Sequence, residues 1–169
     1  MYPHFLSMKS FWFLLLFFIA GLQTRAQNQA SKPPAAKVYH PEANAKQELD
    51  QAKKKAAKEK KHIIVFIGGN WCPWCMRLDR FMKENDSLHT LLEEYEVVHI
   101  NYSKENKNEA VLNALQRPQR FGFPVIVILN QKGQQIMTQN TSFLEEGKGY
   151  NTEKVAAFLK SWTYNIINK

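Results

Sequence analysis

Two cysteines, Cys72 and Cys75, stand shortly after a strand-like run, and this arrangement constrains the fold more than any other feature of the chain. Residues 63–67 (IIVFI) are continuous, apolar and mostly β-branched, which is typical of a strand buried on both faces of a sheet. Pro73 suits the first turn of a helix, because the N–H that proline lacks has no partner there. The sequence therefore predicts a buried strand, a turn and a helix that begins at the cysteine pair.

The spacing of the two cysteines predicts that they share one face of this helix. Helical residues three apart lie about 5–6 Å from each other, within range of a disulfide. Unpaired N–H groups and the positive dipole end at a helix N-terminus stabilise a thiolate, so we expect Cys72 to be the reactive sulfur. Cys75 lies one turn deeper and is expected to resolve the mixed disulfide that Cys72 forms. Trp71 and Trp74 flank the sulfurs with flat apolar surface suited to a protein substrate.

Other roles for the cysteine pair agree less well with the sequence. A disulfide that closes so short a loop constrains the unfolded chain very little, which argues against a purely structural bridge. These are the only cysteines of the chain, so a zinc site of the usual paired-cysteine type is not expected, and we predict no metal. Two alternatives stay open: a non-catalytic domain that docks polypeptides, and a copper(I) site formed by the two thiolates.

The N-terminus has the parts of a secretory signal peptide. Lys9 gives a weakly basic start, residues 11–20 (FWFLLLFFIA) are ten consecutive apolar residues, and Ala26 supplies a small residue at the exit. Ten helical residues rise about 15 Å, too little for a bilayer core of about 30 Å. We expect residues 1–26 to be cleaved, leaving an exported protein without a stable membrane anchor, periplasmic if the source is a double-membraned bacterium. Retention of this segment as an anchor is the alternative.

The next two segments are predicted as a linker and a helix. Residues 27–45 are polar, rich in proline and without periodicity, which predicts a linker, and residues 46–169 are predicted as one domain. Residues 42–61 are rich in strong helix formers. A thin apolar stripe at helical spacing runs through this predicted helix at Ala45, Leu49, Ala52 and Ala56.

The chain is basic, with 23 Lys and Arg against 15 Asp and Glu and a net charge of +8. A basic helix over residues 42–61 can attract nucleic acid or anionic lipid. However, this stretch contains no aromatic side chain on which a base could stack. We therefore expect a solvated helix face and no nucleic-acid partner.

The remainder of the chain alternates helices and strands. The patterns predict, in chain order, a helix over 76–84, a short helix through Glu94 capped by Asp86 or Ser87, a strand over 97–101, a helix over 106–115, a strand over 125–129, a hairpin strand over 134–138 and a last helix capped by Thr152. This order predicts an α/β fold with a central mixed sheet of four to five strands and helices on both faces.

Two short motifs make the chain similar to the thioredoxin-like superfamily. Residues 69–75 (GNWCPWC) follow one apolar strand, and residues 121–124 (FGFP) precede another. Together they resemble exported thioredoxin-like proteins with a W-C-P-W-C centre, over residues 46–162. The resemblance implies a thioredoxin-like fold and thiol–disulfide oxidoreductase activity without a bound cofactor. It also implies protein or peptide disulfide substrates and a redox partner protein, and it favours the reductase direction.

The resemblance further implies the composition of the site. Pro124 would be a cis-proline packed against the cysteines, and Phe123 would offer its backbone to an extended substrate and shape substrate choice. The expected site then has Cys72 and Cys75 as catalytic residues, with Trp71, Pro73, Trp74, Phe123 and Pro124 binding substrate or supporting the cysteines.

One position departs from the family pattern. Thioredoxins keep a buried carboxylate six residues before the first cysteine, and Phe66 occupies that place here. Asp79, four residues after Cys75, and His99, at the end of the second predicted strand, are candidates to replace it as a proton relay through water. The alternatives are an Asp79–Lys83 surface pair and a strand-end histidine without a role.

Overall fold

The buried strand predicted from the sequence lies at the centre of a mixed sheet. The structure, a computed structural model, describes residues 37–169, so the predicted signal peptide and residues 27–36 lie outside the described residues. Strand β1 (His62–Gly68) runs parallel to β2 (Tyr95–Asn101) and antiparallel to β3 (Val125–Leu129), and β3 pairs antiparallel with β4 (Gln135–Asn140). The order β2-β1-β3-β4 confirms the predicted mixed sheet, with four strands.

Helices cover both faces of this sheet. The α-helices are α1 (Ala45–Glu59), α2 (Pro73–Glu84), α3 (Asp86–Leu92), α4 (Glu109–Ala114), α5 (Thr152–Ser161) and α6 (Tyr164–Ile167). A separate hairpin of β5 (Glu145–Glu146) and β6 (Gly149–Tyr150) precedes α5. Across residues 37–169, each helix is too short or too polar to span a bilayer.

Alternation along β1 divides the core in two, since successive side chains of a strand point to opposite faces. Ile63, Val65 and Ile67 pack with α1 and α4, and the predicted apolar stripe of α1 is buried there. Ile64 and Phe66 pack with α2, α3 and α5 on the other face. Every residue of β1 is buried, as expected for a central strand covered on both sides.

Asparagine side chains begin two of the helices where the sequence pattern favoured neighbouring residues. Asn85 caps α3, accepting from Leu88 N at 3.2 Å, instead of the predicted Asp86 or Ser87. Asn151 caps α5, accepting from Lys154 N at 2.9 Å, instead of the predicted Thr152. In both cases the cap is the last extended residue, and the following residue already has helical backbone geometry.

The helix predicted over 106–115 is shorter in the structure and begins at Glu109. Asparagine side chains hold the preceding loop in another conformation, because they bond to backbone groups that a helix would otherwise use. Asn106 Oδ1 accepts from Asn108 N at 3.0 Å, and Asn108 Nδ2 donates to Asn101 O at 2.8 Å. Asn108 itself has a φ of +50°, a left-handed conformation that asparagine tolerates.

The prediction of a linker over residues 27–45 is wrong for its last part, because residues 37–41, which we call the strap, are bound to the domain. Val38 N and Tyr39 N both donate to Asn70 Oδ1 at 3.1 Å, and Asn70 Nδ2 donates back to Tyr39 O at 2.6 Å. Asn106 Nδ2 donates to Pro41 O at 2.8 Å. The Tyr39 side chain is buried, so the strap belongs to the folded unit.

Candidate active site

The cysteine pair lies at the start of α2, just after the turn that follows β1. Cys72 is the N-cap of α2, Pro73 is in its first turn, and Cys75 is one turn further along. The two cysteines form a disulfide with a Cα–Cα distance of 5.2 Å. The Cys75 backbone N–H donates to Cys72 Sγ at 3.1 Å. A helix-terminal amide is therefore directed at the first sulfur, as thiolate stabilisation requires.

Both cysteines are enclosed by the protein. Cys72 is 4% exposed and Cys75 is 1% exposed, and Trp74 and Phe123 pack around the pair. Cys75 lies directly against the end of β1, because a Cβ added to Gly68 would fall 2.5 Å from Cys75 Sγ. Glycine at position 68 is thus required by the close approach of the sulfur to the backbone.

Three aromatic side chains form a surface beside the disulfide. Trp71 is 56% exposed, and its Nε1 donates to Tyr102 O at 2.6 Å. Phe123 lies between the two other rings, with centroid distances of 5.6 Å to Trp71 and 4.8 Å to Tyr102. The backbone hydrogen bond and the ring contacts fix an apolar face next to Cys72.

Trp74 is held on the opposite side of the pair. Its ring meets the edge of Tyr150 at a centroid distance of 5.5 Å, and Tyr150 Oη donates to Trp74 O at 3.3 Å. The Arg77 guanidinium lies over the Trp74 ring, 4.6 Å from the centroid. These contacts orient the indole and place a positive charge near the site.

The loop before β3 reaches the same edge of the sheet. Val125, the first residue of β3, pairs with Ile67 near the end of β1, and Phe123 packs against the cluster that contains both cysteines. The Phe123–Pro124 peptide bond is cis, and Pro124 O accepts from Thr141 Oγ1 at 2.6 Å.

Asp79 and His99, which are far apart in the sequence, meet below Cys75. Asp79 is 12% exposed, and its Oδ1 lies 2.8 Å from Lys83 Nζ and 3.6 Å from His99 Nε2. The Asp79–Lys83 pair expected as an alternative is therefore present, but it is not a simple surface pair. His99 lies within β2, not at its end, and its ring stacks on Phe66 at a centroid distance of 5.2 Å. Both residues line a cleft of about 740 Å³ that Cys75 also borders.

Burial dominates the titration of His99. The low-polarity surroundings lower the pKa of His99 from 6.5 to about 4, although the neighbouring Asp79 carboxylate acts in the opposite direction. The imidazole is therefore neutral near pH 7, so it can accept a hydrogen bond or a proton from a neighbouring group.

The sequence analysis missed several residues that shape the site, among them Tyr39, Asn70 and Tyr102. Tyr39 was assigned to the linker, although it packs with Cys72 and Cys75 and meets the His99 ring at a centroid distance of 5.5 Å. The available sign was that Tyr39 is the only Phe, Trp or Tyr in residues 27–61. Asn70 belongs to the quoted motif, but nothing local in the sequence shows that its amide binds the strap.

The lowered pKa predicts how His99 affects stability. The unfolded chain takes up a proton near pH 6.5 but the folded protein only near pH 4, so the free energy of unfolding should fall as the pH drops through this window. We expect His99→Phe, which keeps an aromatic ring on Phe66, to remove up to about 3 kcal/mol of this pH dependence. Urea unfolding of the oxidised protein at about pH 7 and about pH 4.5 measures the difference.

The exposed His89 provides the control, since His89→Asn should leave the wild-type pH dependence in place. The same slope in His99→Phe and in the wild type would contradict the assignment of this proton uptake to His99.

Comparison with known proteins agrees with this architecture. A model of the thioredoxin-like family matches residues 44–131. No curated protein sequence matches the chain significantly. Among solved structures, the chain is similar to a disulphide isomerase from Xylella fastidiosa Temecula1, with a TM-score of 0.67 and 23% identity over 75% of this chain and 97% of that chain.

A second solved structure shows the same fold at lower identity. The C-terminal domain of Neisseria meningitidis DsbD, in the oxidised form, has a TM-score of 0.53 and 13% identity over 70% of this chain and 96% of that domain. At such identities the likeness shows the fold, while the family model matches just over half of the chain. The chain, with its cysteine pair at the start of α2, belongs to the thioredoxin-like family.

Proposed function

We propose that the protein is an exported thiol–disulfide oxidoreductase that reduces disulfides of proteins or peptides. The observation that carries the proposal is the Cys72–Cys75 pair at the N-terminus of α2, where the Cys75 amide donates to Cys72 Sγ. Membership of the thioredoxin-like family supports it, as does the similarity of the fold to that of a protein described as a disulphide isomerase.

The proposed reaction proceeds in two exchange steps. The Cys72 thiolate attacks one sulfur of a substrate disulfide, which breaks the substrate S–S bond, forms a mixed disulfide and releases the other substrate sulfur as a thiolate. Cys75 then loses its proton and attacks Cys72 Sγ, so that the second substrate sulfur leaves and the Cys72–Cys75 disulfide forms. Two electrons pass to the substrate, and a redox partner protein must return two to the cysteine pair. No bound cofactor takes part in either step.

Substrate binding is assigned to the surface around the disulfide. The exposed Trp71 and the adjacent Phe123 form an apolar face, and the backbone of Phe123 before Pro124 would pair with an extended peptide. Pro73 starts the helix that presents Cys72, and Trp74 bounds the site on the side of Arg77. Such a surface suits an unfolded or extended segment better than a small thiol compound.

We assign the proton relay to Asp79 and His99. Phe66 occupies the place of the internal carboxylate, and His99 stacks on that phenylalanine. Because Asp79 is four residues after Cys75 on α2 and borders the same cleft, it can accept the proton of Cys75 through water. His99, 3.6 Å from Asp79, would share that proton.

Export, domain limits and direction are also part of the proposal. The signal-like residues 1–26 support export, and the strap moves the start of the domain from residue 46 to about residue 37. The reductase direction rests on the family resemblance, since reduction, oxidation and isomerisation use the same two sulfurs.

Turnover tests the catalytic proposal. We expect wild-type protein to reduce insulin disulfides in the presence of dithiothreitol, and Cys72→Ser to give only the uncatalysed rate, because the attacking sulfur is lost. Cys75→Ser should instead accumulate a mixed disulfide with the substrate, visible on a non-reducing gel. Equal insulin turnover by wild type and Cys72→Ser would favour a non-catalytic docking domain.

The reduction potential of the Cys72–Cys75 pair tests the direction. We expect equilibration with glutathione buffers to give a value near that of thioredoxin, about −270 mV, if the protein works as a reductase. A value near about −120 mV, the range of strong disulfide oxidants, would overturn the reductase direction but leave disulfide exchange intact.

Asp79→Asn tests the relay. An aromatic disulfide reagent such as dithiobis(nitrobenzoate) releases one coloured thiolate when Cys72 attacks and a second when Cys75 resolves the mixed disulfide. We expect Asp79→Asn to slow the second release about tenfold or more at pH 7, because the proton acceptor is lost, and to leave the first release unchanged.

Asp50→Asn is the matched control, since Asp50 forms a comparable lysine pair on α1 with Lys46 Nζ at 2.6 Å. If Asp79→Asn and Asp50→Asn release the second thiolate at the same rate, Asp79 has no part in the relay.

A further inference from the structure

The strap brings a phenol to the buried sulfur. Three hydrogen bonds join the strap, at Val38 and Tyr39, to the side-chain amide of Asn70. Asn70 is two residues before Cys72 in the sequence. Tyr39 forms one packed cluster with Cys72 and Cys75, and it is almost fully buried. The residue that binds the strap is therefore part of the same turn that presents the cysteines.

The hydroxyl of Tyr39 lies on the side of Cys75. A Cβ added to Gly68 would be 2.5 Å from Cys75 Sγ and 3.1 Å from Tyr39 Oη, so the sulfur and the hydroxyl border the same point at the end of β1. Tyr39, Cys75, Asp79 and His99 also line one cleft. This is the region in which a thioredoxin keeps its internal carboxylate and in which this chain has Phe66.

The Tyr39 phenol stays protonated at ordinary pH. Burial, together with the Asp79 charge, raises the pKa of Tyr39 well above its usual value, so the hydroxyl keeps its proton. A neutral phenol donates a hydrogen bond and stabilises a neighbouring anion.

We propose that Tyr39 donates a hydrogen bond to Cys75 Sγ when that sulfur becomes a thiolate, so that the strap completes the active site. The inference rests on the proposed exchange reaction and assigns a function to a segment outside the predicted domain. In the resolving step the Cys75 proton passes toward Asp79, the Tyr39 O–H stabilises the resulting thiolate, and that thiolate attacks Cys72 Sγ and expels the substrate sulfur. Tyr39 keeps its own proton throughout.

Other titratable or charged groups act on Tyr39 and on His99, and they define the background for this effect. Those acting on Tyr39 are Asp79 from α2 and Tyr150 from β6, and those acting on His99 are Asp79 and Lys83 from α2 and His40 from the strap. None of these changes in Tyr39→Phe, which removes one oxygen and keeps the ring.

The pH dependence of the second thiolate release from the aromatic disulfide reagent tests the proposal. We expect Tyr39→Phe to raise the midpoint of that release by about one to two pH units, since a hydrogen bond to a charged group is lost. At pH 7 the second release should then be about tenfold slower or more, with the first release, which reports Cys72, within about twofold of wild type.

Two further variants separate this role from a loss of packing. Tyr95→Phe removes another buried hydroxyl, which donates to Leu159 O on α5. Tyr95 pairs with His62, at the end of the β1–β2 ladder opposite to Gly68, so both releases should stay unchanged. Asn70→Ala removes the three hydrogen bonds between Asn70 and the strap and should raise the midpoint of the second release as Tyr39→Phe does.

Each outcome decides between the alternatives. A second release in Tyr39→Phe with the wild-type midpoint overturns the proposal, and so does an equal slowing of both releases, which would indicate packing alone. Absence of a second release in the wild-type protein would instead overturn the proposed exchange reaction, and the role of Tyr39 with it.

Discussion

The close contact between the Cys75 sulfur and the end of β1 is the constraint on which the site depends. Gly68 leaves room for the sulfur, and any side chain at that position would collide with it. This contact sets α2 against the sheet with its first turn at the edge where β3 begins. As a result, Cys72 receives the helix-terminal amide, and Phe123 reaches the cysteines from the other strand. The redox pair and its surrounding surface are thus consequences of one helix–strand packing contact.

The second distinctive element is the replacement of an internal acid by an aromatic stack. Phe66 cannot accept a proton, but it packs against His99, which approaches Asp79 on α2. The polar side chains therefore lie on β2 and α2, at His99 and Asp79, instead of on the central strand β1. The Tyr39 hydroxyl adds a donor from the strap. The cleft that Cys75 borders therefore combines an acid, a neutral imidazole and a phenol beside the apolar Phe66 ring.

Local patterns predicted the framework accurately. The apolar run at 125–129 has the predicted bounds as β3, and the apolar stripe of α1 is buried as its spacing indicated. Errors concern the ends of elements. Asn85 and Asn151 cap α3 and α5, whereas the sequence pattern favoured neighbouring residues as the caps. Asp, Ser, Thr and Asn satisfy helix N–H groups almost equally well, so only the backbone geometry shows which residue is the cap. The start of α4 shifted because side-chain hydrogen bonds from the asparagines replaced a helical turn.

Those features of the cysteine site that depend on residues close together in the sequence can be predicted from it. The cysteine spacing, Pro73 and the preceding apolar strand suffice to predict a helix that starts at a reactive sulfur. The strap, the meeting of Asp79 with His99, and the face formed by Trp71, Tyr102 and Phe123 depend on residues separated by about 20 to about 50 positions, as chain packing brings together what spacing cannot. Tyr39 shows the difference most clearly. A single aromatic residue in a polar segment has no periodic pattern, and it is the hydrogen bonds of Asn70 and Asn106 to the strap that place it beside the cysteines.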